Sequence, residues 1–410
     1  MPRARSADAR SCSRIGLLTY HRSVNDGSIM QTYCLYQLLR RELPEALIEI
    51  IDYIPASLHR RHRKLALYDL RPPFFNPRYV WTYHDQNAFL RRHCRFSQER
   101  LISDDLKEAQ SFIAALEYDA IVVGSDNAWE LERLPEPPNA YYRPCPGVPT
   151  FAFAPSADPA PAADSPWCTS SKAAELKQAL ESFEVITVRD DGTREFLQSL
   201  GIAPSRIGYL PDPTILWDFG EHLSKQEGLG SGKMPLAALA ASPRLARSIH
   251  RQLVGAGFDV VSLMGSRQLD GAISPPRFST IQQRLGLYPS LDATITDRFH
   301  MSVFALKHGR GPVIFLEDAA RWPQPNSKGR DLLTRLGLQE MVWRLDEHNV
   351  SPHKLHASLS AWPNASRGLA ERIVALREKA EATSFSGIAT TLKAIVANSA
   401  RIPTAPTMRN

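Results

Sequence analysis

The chain has 410 residues, of which 43% are hydrophobic and 22% charged. That is more than one core of ~250–300 residues accommodates, so two domains are expected, and such usage excludes a wholly disordered, fibrous or coiled-coil protein. No run approaches the ~18 apolar residues of a spanning helix, and a net charge of +6, from 49 Lys+Arg against 43 Asp+Glu, admits nucleic acid, a membrane surface or a small anionic substrate and selects none of them.

Residues 1–14 carry Arg and Ser without an apolar stretch and read as a disordered leader rather than a secretory signal. The five cysteines (Cys12, Cys34, Cys94, Cys145, Cys168) are scattered with no C-x-x-C pair. They indicate free thiols in a reducing compartment, not a zinc ribbon or a dithiol site. Residues 15–19 read as a strand, and 28–41 as a helix with Ile29, Tyr33, Tyr36 and Leu39 on one face. A second strand follows at 46–52. Residues 53–85 are rich in Pro, Arg and aromatics, fit no period, and read as irregular. Helices are expected over 86–99 and 104–117, and strands at 120–123 and 150–154. A helix over 170–180 and a strand at 184–188 follow. Asp190 caps the next helix and Gly201 stops it.

The polar, glycine-rich stretch 218–234 reads as a linker. Beyond it, strands are expected at 235–241, 258–263, 293–296 and 313–316. Helices follow over 243–256, 279–285, 299–308 and 328–336, and 352–400 is mostly helical. Such alternation predicts parallel sheets covered by helices on both faces. The expected architecture is α/β, with two doubly wound Rossmann-like domains (15–217 and 235–400) around a cleft and a tail at 401–410.

Ligands of such sheets bind beyond the carboxyl ends of the strands, so the residues there are the candidates. After the strand at 293–296 come Asp297, Arg298, Phe299 and His300. With Asp297 as cap, Arg298 and His300 enter a first helical turn that favours anions, and Arg can hold a carboxylate or phosphate bidentately. The plainer reading is a surface Arg and a structural His. After 184–188 comes Arg189, which is either a second anion ligand or a solvated partner of Asp190 or Asp191. After 120–123 come Gly124, Ser125, Asp126 and, further on, Trp129. These form either a site loop with a carboxylate or a tight turn with Trp129 in the core. The loop at 21–27, ending Asn25-Asp26-Gly27, suits a phosphate or sugar but is a common type.

The segment 228–233 (GLGSGK) lacks the first Walker glycine, the Ser/Thr and a preceding strand, and reads as linker. H-E-x-x-H, G-x-S-x-G and a strand-linked G-x-G-x-x-G are absent from the sequence, and no ligand spacing signals a metal. The basic cluster 59–64 (HRRHRK) is followed by aromatics. It reads as a solvated loop. Its functional versions are a peripheral contact with anionic lipid and, less favoured, nucleic-acid stacking; no nucleic-acid partner is expected.

In this order the strand-end motifs resemble the polysaccharide pyruvyl transferase family. Asn25–Leu35 resembles its Asn-aromatic-Gly loop and Gln-x-Tyr-x-Leu helix, with Asp26 in place of the aromatic. Residues 122–129 match Val-Val-Gly-Ser-Asp-x-x-Trp, 151–156 resemble its next strand, and 186–189 match the segment ending Val-Arg. Pro211-Asp212-Pro213-Thr214 matches Asp-Pro-Thr, and 295–300 match Thr-Asp-Arg-Phe-His. Gly309–Pro312 carries one residue more than the usual Gly-x-Pro, and 327–333 resemble the following helix start. The matches span 15–338.

The resemblance implies a two-domain, glycosyltransferase-B-like fold and transfer of the enolpyruvyl skeleton of phosphoenolpyruvate to two sugar hydroxyls. It implies phosphoenolpyruvate as donor substrate with no cofactor, and a saccharide acceptor that is free or lipid-linked. The setting would be cytoplasmic or peripheral at the inner face of the membrane. Arg189, Arg298 and Lys328 would hold the donor, His300 would be general acid or phosphate-stabilising group, and Asp126 the base toward the sugar. Asn25, Asp26, Gly27 and Ser125 would lie on the acceptor side. The rivals are a nucleotide-sugar glycosyltransferase, with Glu317 or Asp318 as its ribose ligand, and a non-catalytic carbohydrate-binding member, for which Arg189, Arg298 and His300 would point apart.

Overall fold

A computed structural model describes residues 12–67, 77–132, 135–162, 164–224, 232–263, 269–276, 278–345 and 351–399. Apolar runs with no polar alternation, such as Ala120–Gly124, are wholly buried, as expected of parallel strands covered on both faces. Seven strands form the first sheet: β1 (Arg14–Leu18), β2 (Leu47–Ile54), β3 (Phe96–Ile102), β4 (Ala120–Gly124), β5 (Thr150–Phe153), β6 (Val185–Val188) and β7 (Ile207–Tyr209). Their order is β3-β2-β1-β4-β5-β6-β7, all parallel. Five more, β8 (Leu236–Ala240), β9 (Asp259–Ser262), β10 (Ala293–Thr296), β11 (Val313–Asp318) and β12 (Val342–Leu345), form a parallel sheet in the order β12-β11-β10-β8-β9. The fold is two Rossmann-like domains, as expected. The strand order reverses between β1 and β4 in the first sheet and between β8 and β10 in the second. Loops leaving β1, β4 and β10 therefore meet in the crevice where such folds bind ligands.

Three expectations fail. The stretch read as irregular contains helices Ala56–Leu67 and Pro77–His93. Only Gln86, Phe89 and Leu90 of the second are buried, so that helix does not need the apolar stripe that periodicity detects. The helix expected over 86–99 ends at His93 and gives way to β3, whose Gln98, Glu99 and Arg100 are exposed. An edge strand of this kind carries no apolar run. The short strands β7 and β12 were likewise not expected. Within the linker, Phe219 is fully buried against Phe304; residues 225–231, with most of the GLGSGK segment, lie outside the described residues, as do 1–11 and 400–410.

The helix Pro352–Ala365 stays with the second sheet, where Trp343 Nε1 donates to Ser358 (3.0 Å). The rest of the helical tail returns to the first. Phe385, in a π-turn at Glu381–Phe385, meets Phe153 of β5 edge-on at 5.5 Å, and Ser13 donates to the Val396 carbonyl (3.0 Å). Among the described residues no helix is long and apolar enough to cross a membrane, and all five cysteines are free.

Candidate active site

The cleft between the two sheets encloses about 660 Å³. Its floor is laid by strand-end loops. Asn25 caps the helix Asp26–Glu42 by accepting from Gly27 N–H (3.0 Å), and this brings the start of that helix against the start of helix Phe299–His308. The contact is so close that a Cβ on Gly27 would occupy the His300 imidazole. Gly27 is therefore required by packing between domains, not by its backbone angles. Gly27→Ala must push the ring or the helix aside, and we expect it to lower turnover about as far as removing the imidazole would, checked by steady-state assay beside His300→Ala.

His300 Nε2 donates to Asp212 Oδ2 at 3.3 Å. Asp212 follows β7, caps the turn Pro213–Leu216 and accepts from Thr214 through both N–H (3.0 Å) and Oγ (2.6 Å). Arg189, at the end of β6, ion-pairs with the same Asp212 oxygen through Nη1. Its Nη2 reaches Asn127 Oδ1 (3.0 Å) and Asp126 Oδ1 (3.4 Å), and its guanidinium lies over the Phe299 ring, 4.9 Å from the centroid. Asp126, after β4, accepts from Ser28 Oγ at 2.5 Å and sits at φ 59°, a left-handed conformation that a non-glycine residue adopts at some cost. Lys328 Nζ donates to Asn127 Oδ1, lies 3.7 Å from Asp158 and leans toward Phe299.

Electrostatics separate these groups. Burial alone would raise the pKa of Asp212, but His300, Arg189 and the Thr214 bonds hold it well below the carboxylate range. The same contest, with His300, Arg189, Lys328 and Ser28 opposing burial, keeps Asp126 low. Burial and the nearby Arg189 push the Lys328 ammonium down. The result is a pair of fixed carboxylates, a histidine hydrogen-bonded to one of them, and a lysine at a cleft wall.

Two expectations about individual residues change. Asp297 does not cap the helix: its carboxylate accepts from Ser242 N–H (2.9 Å) and ion-pairs with Arg298 Nε (3.0 Å). Arg298 itself occupies the cap position, with no side chain capping the first turn, and faces the cleft. Arg189 is not a wall residue. Its side chain is fully buried beneath the floor, opposed by the carboxylates of Asp212 and Asp126, which it helps to set in place. Ser125 is also buried, donating through N–H and Oγ to Gln31 Oε1 (3.1 and 2.7 Å). Asp26 lines the cleft but is claimed by Arg284 (2.7–3.1 Å) and Gln86 (2.7 Å). Arg189 and His300 converge on one oxygen, and Arg298 opens into the same cleft; the three do not point apart. Trp129 is in the core, with Nε1 donating to Tyr141 O.

Asp212, Ser28 and Asn127 belong to the site and were not singled out as site residues. Asp212 had a signal in the Pro-Asp-Pro-Thr motif, but without β7 it was not placed at a strand end. Glu317, one of the ribose-ligand candidates, is fully buried and consumed by Ser327, Arg330 and Arg344. Asp318 Oδ1 accepts from Ala320 N–H (3.0 Å). Among the described residues no group of three or more His, Cys, Asp or Glu is placed to hold a metal ion.

A family model described as polysaccharide pyruvyl transferase matches residues 25–318. A search of curated proteins finds no match. Among solved structures, the S. aureus MnaA–UDP co-structure is similar at a TM-score of 0.50 and 9% identity, over 89% of this chain and 90% of that one. The glycotransferase of kitacinnamycin is similar at 0.50 and 11% identity, over 94% and 99%. At such identities the likeness is one of fold.

Proposed function

The chain belongs to the polysaccharide pyruvyl transferase family, and we propose that it moves the enolpyruvyl skeleton of phosphoenolpyruvate onto two hydroxyls of a saccharide, forming a cyclic pyruvate ketal and releasing phosphate. The observation that carries this reading is the convergence of His300 and Arg189 on Asp212, with Asp126, Lys328 and Arg298 around the same cleft.

The donor bears a carboxylate and a phosphate on a three-carbon frame. Arg298 and Lys328 supply cations at the cleft, beside the uncapped start of helix Phe299–His308, where N–H groups favour an anion. His300 protonates the methylene carbon, which becomes the methyl group. The Asp212 carboxylate stabilises the imidazolium from which that proton comes. Positive charge then develops at the adjacent carbon, where the fixed carboxylate of Asp126 opposes it. The first sugar hydroxyl bonds to that carbon. Phosphate departs with the electrons of its C–O bond, and the second hydroxyl closes the ring, the two hydroxyls giving up their protons, one to the imidazole left neutral by the first step and one to the departing phosphate. Asp126 accepts a hydrogen bond from the attacking hydroxyl. Its low pKa makes it a weak base, so orientation and charge opposition are its larger contribution.

Incubation with phosphoenolpyruvate and candidate saccharides, following phosphate release and product mass, tests the reading. Phosphate release with no mass gain on any saccharide would reduce the activity to donor hydrolysis. Arg298→Ala should raise the KM for phosphoenolpyruvate by about tenfold or more, the worth of one charged hydrogen bond, with a smaller change in turnover. An unchanged KM would remove Arg298 from the donor site.

A further inference from the structure

Helix Phe299–His308 brings more than the imidazole to the first domain. Phe304 and Lys307 follow His300 by four and seven residues, a spacing that puts all three on one face of the helix. All three meet the segment that leaves β7. His300 bonds to Asp212, Phe304 packs edge-on against Phe219 at 5.4 Å, and Lys307 Nζ donates to the Thr214 and Trp217 carbonyls, both at 2.7 Å. The Lys307 ammonium also lies over the Phe219 ring, 4.5 Å from its centroid. The turn Pro213–Leu216 is only four residues long, so its last carbonyls have no following helical turn to bond them. Asp212 caps its start and Lys307 closes its end. Thr214 joins the two points, donating to Asp212 and accepting from Lys307. The helix therefore holds one short turn at two places about 10 Å apart along its axis.

Burial pushes the Lys307 ammonium down to about 8, so keeping a charge there opposes folding. An apolar side chain of the same length would fill the space without that cost. It would not fix the turn, because apolar contact has no direction and a hydrogen bond to a carbonyl does. Direction matters here. The His300–Asp212 contact, at 3.3 Å, lies just beyond the usual hydrogen-bond range, so a small slide of the helix along the turn would break it. We propose that Lys307 is a positioning residue for the proton donor, pinning the turn to the helix so that Asp212 and the His300 imidazole stay in register. Its part in turnover rests on the transferase reading; its hold on Asp212 does not.

Lys307→Met keeps the length of the side chain and removes both donations. Turnover is expected to fall about tenfold or more, since misplacing a catalytic group by about 1 Å can cost about a hundredfold, while the KM for phosphoenolpyruvate holds within about twofold. In a His300→Ala background the same substitution should lower turnover no further, because the group it positions is gone. Lys307→Gln, which keeps an amide donor, should retain part of the turnover, and it is the variant to compare if Lys307→Met does not fold. Denaturant midpoints give a readout free of the reaction. Substitutions within one hydrogen-bond network are not additive, so Asp212→Asn should shift the midpoint less in Lys307→Met than in wild type. Unchanged turnover, a fall that multiplies with that of His300→Ala, a KM rise as large as the loss of turnover, or additive midpoints would each overturn the proposal. Coupled midpoints in a protein that forms no ketal on any saccharide would instead sink the transferase reading and leave Lys307 holding Asp212.

Discussion

His300→Ala is expected to lower turnover by at least about a hundredfold, the lower bound of general acid–base help, while melting stays close to wild type. Among the described residues the imidazole hydrogen-bonds to Asp212, whose other oxygen remains held by Thr214 and whose charge remains opposed by Arg189. Its loss removes the proton donor without stranding a buried charge. Phosphate release from phosphoenolpyruvate in the presence of saccharide is the measurement. Near-normal release would take His300 out of the chemistry and leave it a spacer between domains. Donor affinity separates the roles further: a general acid affects turnover, whereas a phosphate ligand affects binding as well.

Asp212→Ala is expected to be the most damaging change to stability in the site. Arg189 is fully buried and loses its closest counter-charge, and removing one partner of a buried pair costs about 3–5 kcal/mol. Denaturant midpoints measure this, and a loss under about 1 kcal/mol would mean that Asp126 and Asn127 alone satisfy Arg189. Asp212→Asn keeps the shape and should cost less. It also reports on pH. Asp212 and Asp126 have folded-state pKa values below the unfolded value of about 3.9. Their stabilising contribution is therefore present above about pH 4 and lost as pH falls through the folded values. Wild type should lose more stability between pH 5 and 3 than Asp212→Asn, and parallel curves would show that Asp212 contributes nothing to acid sensitivity.

Much of the site was legible because its residues follow long apolar strands. β4 and β10 are unbroken buried runs, so Asp126 and the 297–300 segment were placed at strand ends, and His300 and Asp126 do lie in one cleft. What periodicity could not show is which neighbour claims a charge. Arg189 looks like a ligand in sequence, but the carboxylates that neutralise it come from the ends of β4 and β7, and Asp26 is taken by Arg284 from 258 residues away. β7 has three residues and β12 sits at an edge, so neither carries a signal above that of a loop.

The return of the last helices to the first sheet has a mechanical consequence. The chain passes between the two bodies twice, once after Phe219 and again before the π-turn at Glu381–Phe385. Two crossings restrict how far the bodies can part. Gly27 and His300 sit where the bodies touch, so a small swing would part the helix start from the imidazole. Proton donation would then depend on that contact being kept.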